Sequence, residues 1–222
     1  MNFHVFELVG ETFQAHPSGL LWWPSERLLA VSDLHLGKAE RLARRGGALL
    51  PPYETQDTLN RLETEILRLN PATVISVGDS FDDLTAADQI ESEITERLAR
   101  LAAGRRWIWI AGNHDPGPVQ LPGSHLSELQ MRGLNFRHIA ASDGADISGH
   151  YHPKARLWVK GQSISRACFL IDRHRIILPA FGTYTGGLRI DDPTFDSLVS
   201  ETAIAVLTGK RALAVPRAAA FA

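Results

Sequence analysis

The chain has 222 residues, 44% of them hydrophobic and 22% charged, with a formal net charge of −2 and a pI near 6.5. Its length suits one domain with a sizeable core over 1–222, ending in a frayed tail over 216–222. The charge balance excludes a wholly basic nucleic-acid binder, no apolar run reaches the ~20 residues of a membrane helix, and the single Cys168 excludes an internal disulfide framework.

The opening residues read as short strands over 5–9, 12–16 and 20–23, punctuated by Gly10-Glu11 and Pro17-Ser18-Gly19. The apolar run 28–31 reads as a buried strand that delivers Asp33 and His35 just past its carboxyl end. Over 54–69, Leu59, Leu62, Ile66 and Leu69 recur at helical spacing, and Asn70-Pro71 stops the helix. A second buried strand over 73–77 runs into Gly78-Asp79-Ser80-Phe81-Asp82. A second amphipathic helix carries Ile90, Ile94, Leu98 and Leu101 and closes at Gly104. The strand 107–111 then leads into Gly112-Asn113-His114-Asp115. This alternation is the grammar of an α/β protein whose site lies beyond the strand carboxyl ends.

The later portion is strand-rich, over 134–139, 146–148, 157–160, 167–171 and 175–178, with Gly149-His150-Tyr151-His152 between the second and third. Segments 203–207 and 212–215 read as a terminal hairpin. Cys168 is a small apolar filler of its strand. Trp22, Trp23, Trp107 and Trp109 belong to the core. A lone thiol, and a start without a basic-then-apolar leader, point to the cytoplasm.

Four motifs thus offer metal-ligand side chains at strand ends. Two cations about 3.5–4 Å apart need a ligand that reaches both, and a carboxylate, Asp79, suits that bridge. Asp33 and His35, two apart on a turn, can address one cation; Asn113 offers a neutral oxygen to the other. His150 and His152 are read as alternate residues of an extended segment that point the same way. Imidazole with carboxylate suits manganese, iron or zinc better than magnesium or calcium. Hydroxide between the cations would attack phosphorus. His114, beside a ligand without being one, is the general acid, and Asp82 the partner that holds its ring. Lys38, Arg41, Arg44 and Arg45 follow the first motif, where they can clamp substrate phosphates, and Asn113 also faces substrate. Singly these features are ordinary: Gly-Asp is usually a turn, His-x-His can be a solvated strand face, and four cations can be a solvated helix face. The ordered set outweighs the bland readings.

The set Asp33-x-His35, Gly78-Asp79-x-x-Asp82, Gly112-Asn113-His114-Asp115 and Gly149-His150-x-His152 resembles the calcineurin-like metallophosphoesterase superfamily. The resemblance implies a four-layer α-β-β-α sandwich of two mixed sheets with helices outside. It implies two metal ions, one held by Asp33, His35, Asp79 and His152, the other by Asp79, Asn113, His150 and a further histidine. His138 stands in the expected place for that last ligand, with His125 as a substitute. An arginine often follows the second motif in that family; here Asp83 stands there. Asp33 to Lys38, Leu50-Pro51-Pro52, His150 to Pro153 and Leu178 to Gly187 are similar to the bacterial ligase-associated DNA damage response phosphoesterases. That similarity covers nearly the whole chain. It implies an endonuclease acting on DNA, with a DNA ligase, an exonuclease-like protein and a helicase as associates. A phosphomonoesterase or a cyclic- or small-nucleotide hydrolase would use the same motifs. A non-catalytic scaffold for repair partners is disfavoured, because seven candidate ligands and His114 are all present.

Overall fold

The computed structural model describes residues 2–44, 46, 51, 53–88, 90–115, 121–159 and 161–219. One mixed sheet holds β1 (His4–Leu8), β2 (Glu11–Ala15), β3 (Leu21–Trp23), β4 (Leu28–Val31), β5 (Thr73–Val77), β6 (Arg106–Ile110) and β7 (Ser124–Leu126) in chain order. Its pairs are antiparallel up to β4 and parallel from β4 to β7. The second sheet is built from β8 (Glu128–Met131), β9 (Leu134–Arg137), β10 (Ala145–Ser148), β11 (Lys154–Val159), β12 (Gln162–Asp172), β13 (Arg175–Ile177), β14 (Ile204–Leu207) and β15 (Leu213–Pro216). Its order is β15-β14-β12-β13-β10-β9-β8, with β11 paired to β12 outside that path. The helices are α1 (Lys38–Arg44), α2 (Glu54–Leu69), α3 (Leu84–Asp88) and α4 (Ser92–Ala102).

Period-two alternation assigns each strand's side chains to two different layers. Leu28 and Ala30 of β4, Ile75 and Val77 of β5, and Ile108 and Ile110 of β6 point inward, toward Phe136, Ile147, Phe169, Ile171 and Ile176 of the other sheet. Their neighbours Leu29, Val31, Val74, Trp107 and Trp109 point outward, where Leu59, Leu62 and Ile66 of α2 and Ile94, Leu98 and Leu101 of α4 cover them. In β12, Phe169 and Ile171 face the inter-sheet core, while Cys168 and Leu170 face a third cluster with Ile190, Phe195 and Val199. The two face-to-face mixed sheets with flanking helices implied by the resemblance are present. On the second sheet the outer cover is thin: an irregular stretch with a 3-10 turn at Pro193–Ser197.

The tail expectation needs correcting at its start. Pro216 ends β15, and Arg217 is buried, donating to the Ile190 carbonyl at 2.9 Å and to Asp196 at 2.7 Å. Residues 220–222 lie outside the described residues. No helix among the described residues is long and apolar enough to cross a membrane.

α2 is tied to the β2–β3 turn by a buried histidine. The Arg68 guanidinium donates to His16 Nδ1 at 2.9 Å, and His16 Nε2 stands 3.3 Å from Gln14 Oε1. Burial, with the Arg68 charge beside it, pushes the His16 pKa down to about 4. The unfolded chain takes up this proton near pH 6.5, so between about 4 and 6.5 the unfolded state binds more protons than the folded one. The His16 contribution is therefore intact above about 6.5 and is lost as pH falls through that window. Chemical denaturation at pH 7 and pH 4.5 should show His16→Gln losing about 1–3 kcal/mol less stability than wild type on acidification.

Candidate metal centre

Beyond β4 and β5 the chain leaves the sheet, but backbone pairing continues. Asp33 N–H donates to the Gly78 carbonyl at 3.1 Å, His35 to Asp79 at 3.0 Å, Leu36 to Ser80 at 3.0 Å, and Asp82 back to Leu36 at 3.0 Å. On the other flank Phe181 donates to the Ser32 carbonyl at 2.9 Å and Gly182 to that of Asp33 at 3.0 Å. The glycine-rich 181–187 segment thus supports the first motif from behind. Five candidate ligands, Asp33, His35, Asp79, His150 and His152, have positive φ. Ten described non-glycine residues do so in all. Such conformations are costly for L-residues and persist where surrounding structure imposes them.

The side chains gather in three groups, Asp33–His35–His152, Asp79–His138–His150, and a third that joins His35 to Asp82 and His114. In the first, Asp33 Oδ1 lies 3.1 Å from His152 Nε2, which is 3.5 Å from His35 Nε2. In the second, His138 Nε2 and His150 Nδ1 are 3.1 Å apart and each stands 2.9 Å from Asn113 Oδ1. Asp79 Oδ2 is 3.4 Å from His138 Nε2. Backbone N–H groups steady both carboxylates: that of His114 donates to Asp79 Oδ1 at 2.9 Å, and that of His150 to Asp33 at 3.1 and 3.2 Å. Such a convergence of imidazole, amide and carboxylate lone pairs fits divalent transition-metal cations. Burial alone would raise the Asp79 pKa, but bonding to His138 and its charge bring it down to about 2. Reciprocally, His138 is desolvated yet raised overall by Asp79 and Asp33. Burial and the His138 charge lower His150.

His138 therefore stands with the other candidate ligands. His125 does not: it lies in β7, stacked on Trp109 with ring centroids 6.3 Å apart. The expected extended geometry of His150 and His152 is corrected. With φ of 69° and 46°, they turn their imidazoles to different groups. The expected Asp82–His114 pairing is also corrected. His114 Nδ1 meets the Asp82 backbone carbonyl at 2.8 Å, while the Asp82 carboxylate lies 3.0 Å from His35 Nδ1 and pairs with Arg41. Burial raises the Asp82 pKa, but His35, Arg41 and Lys38 outweigh it and lower it.

The basic cluster likewise has internal duties. Arg41 is committed to Asp82 rather than held free for phosphate, and Arg44 donates to Asp83 at 2.9 and 3.2 Å. Lys38 opens α1, half-buried, and Asn113 is exposed. Arg45, Leu50 and Pro52 lie outside the described residues.

Asp115 is a residue whose role spacing did not reveal. Its buried carboxylate accepts N–H bonds from Ser80 at 2.8 Å, Phe81 at 3.1 Å and Gly112 at 3.0 Å, buckling the third motif onto the second. Burial and the nearby Asp79 charge push its pKa up to about 6 in spite of those donors. The buckle brings the loops so close that a Cβ on Gly112 would lie 2.1 Å from Asp79 Oδ1 and 2.2 Å from its backbone nitrogen. The motif's terminal aspartate was visible in the sequence; that it grips backbone rather than metal or substrate was not.

Residues 26–203 match the family model of the calcineurin-like phosphoesterases. The crystal structure of Pseudomonas putida nuclease MPE is similar with a TM-score of 0.76 and 24% identity, over 96% of this chain and 100% of that one. A phosphoesterase from E. coli, Yfce, is more distant, with a TM-score of 0.42 and 13% identity over 85% and 98%. At 24% identity the likeness to the nuclease is one of fold. No curated protein matches the chain.

Asp115→Ala would strand three buried N–H donors, and the expected loss is about 2–4 kcal/mol of unfolding free energy. Equilibrium denaturation of the variant beside wild type measures it, and a loss under about 0.5 kcal/mol would contradict the buckle.

Proposed function

The chain belongs to the calcineurin-like phosphoesterase family, whose members are metal-dependent hydrolases of phosphate esters, and on that premise we propose a nuclease that cleaves phosphodiester bonds in DNA during repair. The observation that carries this reading is the facing pair of donor groups, Asp33–His35–His152 and Asp79–His138–His150, with Asn113 against the second. The likeness in fold to a Pseudomonas putida nuclease supports the choice of a diester in nucleic acid. The mixture of imidazole, carboxylate and amide oxygen suits manganese, with iron or zinc as the nearest competitors.

Divalent cations bound at such sites polarise phosphoryl oxygens and acidify water. The chain's own residues do the rest. Asp79 has one oxygen fixed by the His114 N–H and the other 3.4 Å from His138 Nε2, and its carboxylate is the group that would be shared if two cations were held. The Asp82 carboxylate holds His35 from behind, through Nδ1, so that Nε2 points at His152. Outer partners of this kind fix the tautomer of a ligand and strengthen its donor nitrogen. Arg41 pairs with the same carboxylate, whose pKa is lowered by His35 first and then by Arg41 and Lys38.

His114 is placed differently. Its Nδ1–H donates to the Asp82 carbonyl, so the mobile proton of the imidazolium sits on Nε2, and its ring meets that of His35 edge-on at 5.2 Å. From there it protonates the leaving oxygen of the scissile ester. Asn113, exposed beside it, adds an amide that contacts a phosphoryl oxygen.

With manganese supplied, the protein should hydrolyse bis(4-nitrophenyl) phosphate and single-stranded DNA, with kcat/KM for diesters above that for 4-nitrophenyl phosphate. Asp79→Asn should abolish turnover while the thermal midpoint is kept, and equal activity would remove Asp79 from the mechanism. His114→Ala should reduce kcat on DNA by about 10²–10⁴-fold. The loss should be much smaller on the nitrophenyl diester, whose leaving group needs no proton; equal losses on both would contradict general acid catalysis.

A further inference from the structure

β11 and the first half of β12 leave the second sheet as a two-stranded ribbon. Their pairing runs from Lys154–Ala167 to Val159–Gln162, whereas β12 joins β14 and β13 only from Cys168 onward. The ribbon starts two residues past His152, a member of the first donor group. Alternation sets Lys154, Arg156 and Trp158 on one face, with Ser163, Ser165 and Ala167 across from them. Trp158 is 59% exposed, although every other tryptophan named here is buried. The Arg156 guanidinium lies 5.4 Å above its ring and donates to the Ser163 hydroxyl, which steadies the indole in place.

At its base this face opens on a cavity of about 400 Å³ lined by Arg61, Lys154, Ser165, Arg166, Tyr184 and Thr185. Exposed Tyr53 lies near Tyr184, with ring centroids 6.3 Å apart. Between Asp146 and Asp172 the sequence has no Asp or Glu, while Lys154, Arg156, Lys160 and Arg166 all fall there. The local charge is thus positive in a chain whose net charge is −2. Two copies meeting through this face would press like charges together, which disfavours self-association. A polyanion with flat rings satisfies both features at once: phosphates meet the cations and a base stacks on the indole.

Resting on the diesterase reading of the metal centre, we propose that this ribbon face is a track for a single strand of nucleic acid leaving the site. Phosphates pass Lys154 and the basic cavity, then Arg156, and a base stacks on Trp158. Six residues at about 3.3 Å each place Trp158 on the order of 20 Å along the chain from His152. This reach makes the contact irrelevant to any substrate the size of a nitrophenyl ester.

The test is fluorescence anisotropy of a fluorescein-labelled single-stranded oligonucleotide, titrated with wild type, Trp158→Ala and Arg156→Ala. Trp158→Ala should weaken binding about 5- to 100-fold. Arg156→Ala should also weaken it, and reduce the slope of log affinity against log salt by about 0.7. In both variants hydrolysis of bis(4-nitrophenyl) phosphate should stay at the wild-type level. Unchanged oligonucleotide binding would overturn the track. So would a wild-type dimer in sedimentation that Trp158→Ala dissociates, because the face would then be a self-interface. Wild type that binds the strand through Trp158 but hydrolyses no diester would leave the track standing and overturn the diesterase reading instead.

Discussion

The site depends on hydrogen bonding that outlives the strands. β4 and β5 end at Val31 and Val77, yet the loops beyond them stay zipped through Asp33, His35, Leu36 and Asp82. That backbone register sets Asp33 against Gly78 and His35 against Asp79, and so fixes the separation of the first two motifs. Ordinary loops have many conformations and lose entropy when ordered. Here the ordering is supplied by peptide groups that must be paired anyway, because they are buried. Asp115 performs the same service for the third motif, and the 181–187 segment for the rear of the first.

Such construction concentrates negative charge. Asp33, Asp79, Asp82 and Asp115 are all buried within this small volume. Burying a carboxylate without a partner is expensive, and each is compensated in its own way. Asp33 has the His150 N–H and the His152 ring; Asp79 has His138; Asp82 has Arg41 and His35; Asp115 has three peptide donors. Asp115, with no ion-pair partner among the described residues, bears the cost as a raised pKa, whereas Asp79 is lowered by a histidine. The difference separates a carboxylate that grips backbone from one that is set to meet a positive charge.

Much of this was legible beforehand, and the limits are instructive. α2 lies over Glu54–Leu69 and β5 over Thr73–Val77, as the apolar spacing predicts, because a one-sided helix and a doubly buried strand leave strong signatures. The four motifs contain Asp33, His35, Asp79, Asn113, His150 and His152, which converge, whereas His138 lies outside them. The roles of Asp82 and Arg41 differ from the sequence reading because Asp82 meets His35 and Arg41 from far along the chain, and side-chain direction there is set by loop geometry. The ribbon was misread too: segments 157–160 and 167–171 stood out as short strands, yet β12 extends over Gln162–Asp172. Ser163, Ser165 and Arg166 are exposed, so the outer half of that strand has no buried face to impose alternation. β7 and β8 escaped notice for a similar reason, being short and polar.

The left-handed backbone at Asp33, His35, Asp79, His150 and His152 constrains how this site can drift over evolutionary time. Valine, isoleucine or threonine at those positions would strain the main chain as well as delete a donor atom, so such changes damage architecture and chemistry together. Asparagine and glycine tolerate the same dihedrals. A descendant that abandoned hydrolysis but kept its shape would have only this narrow exit, and would bear asparagines or glycines as the scars of it.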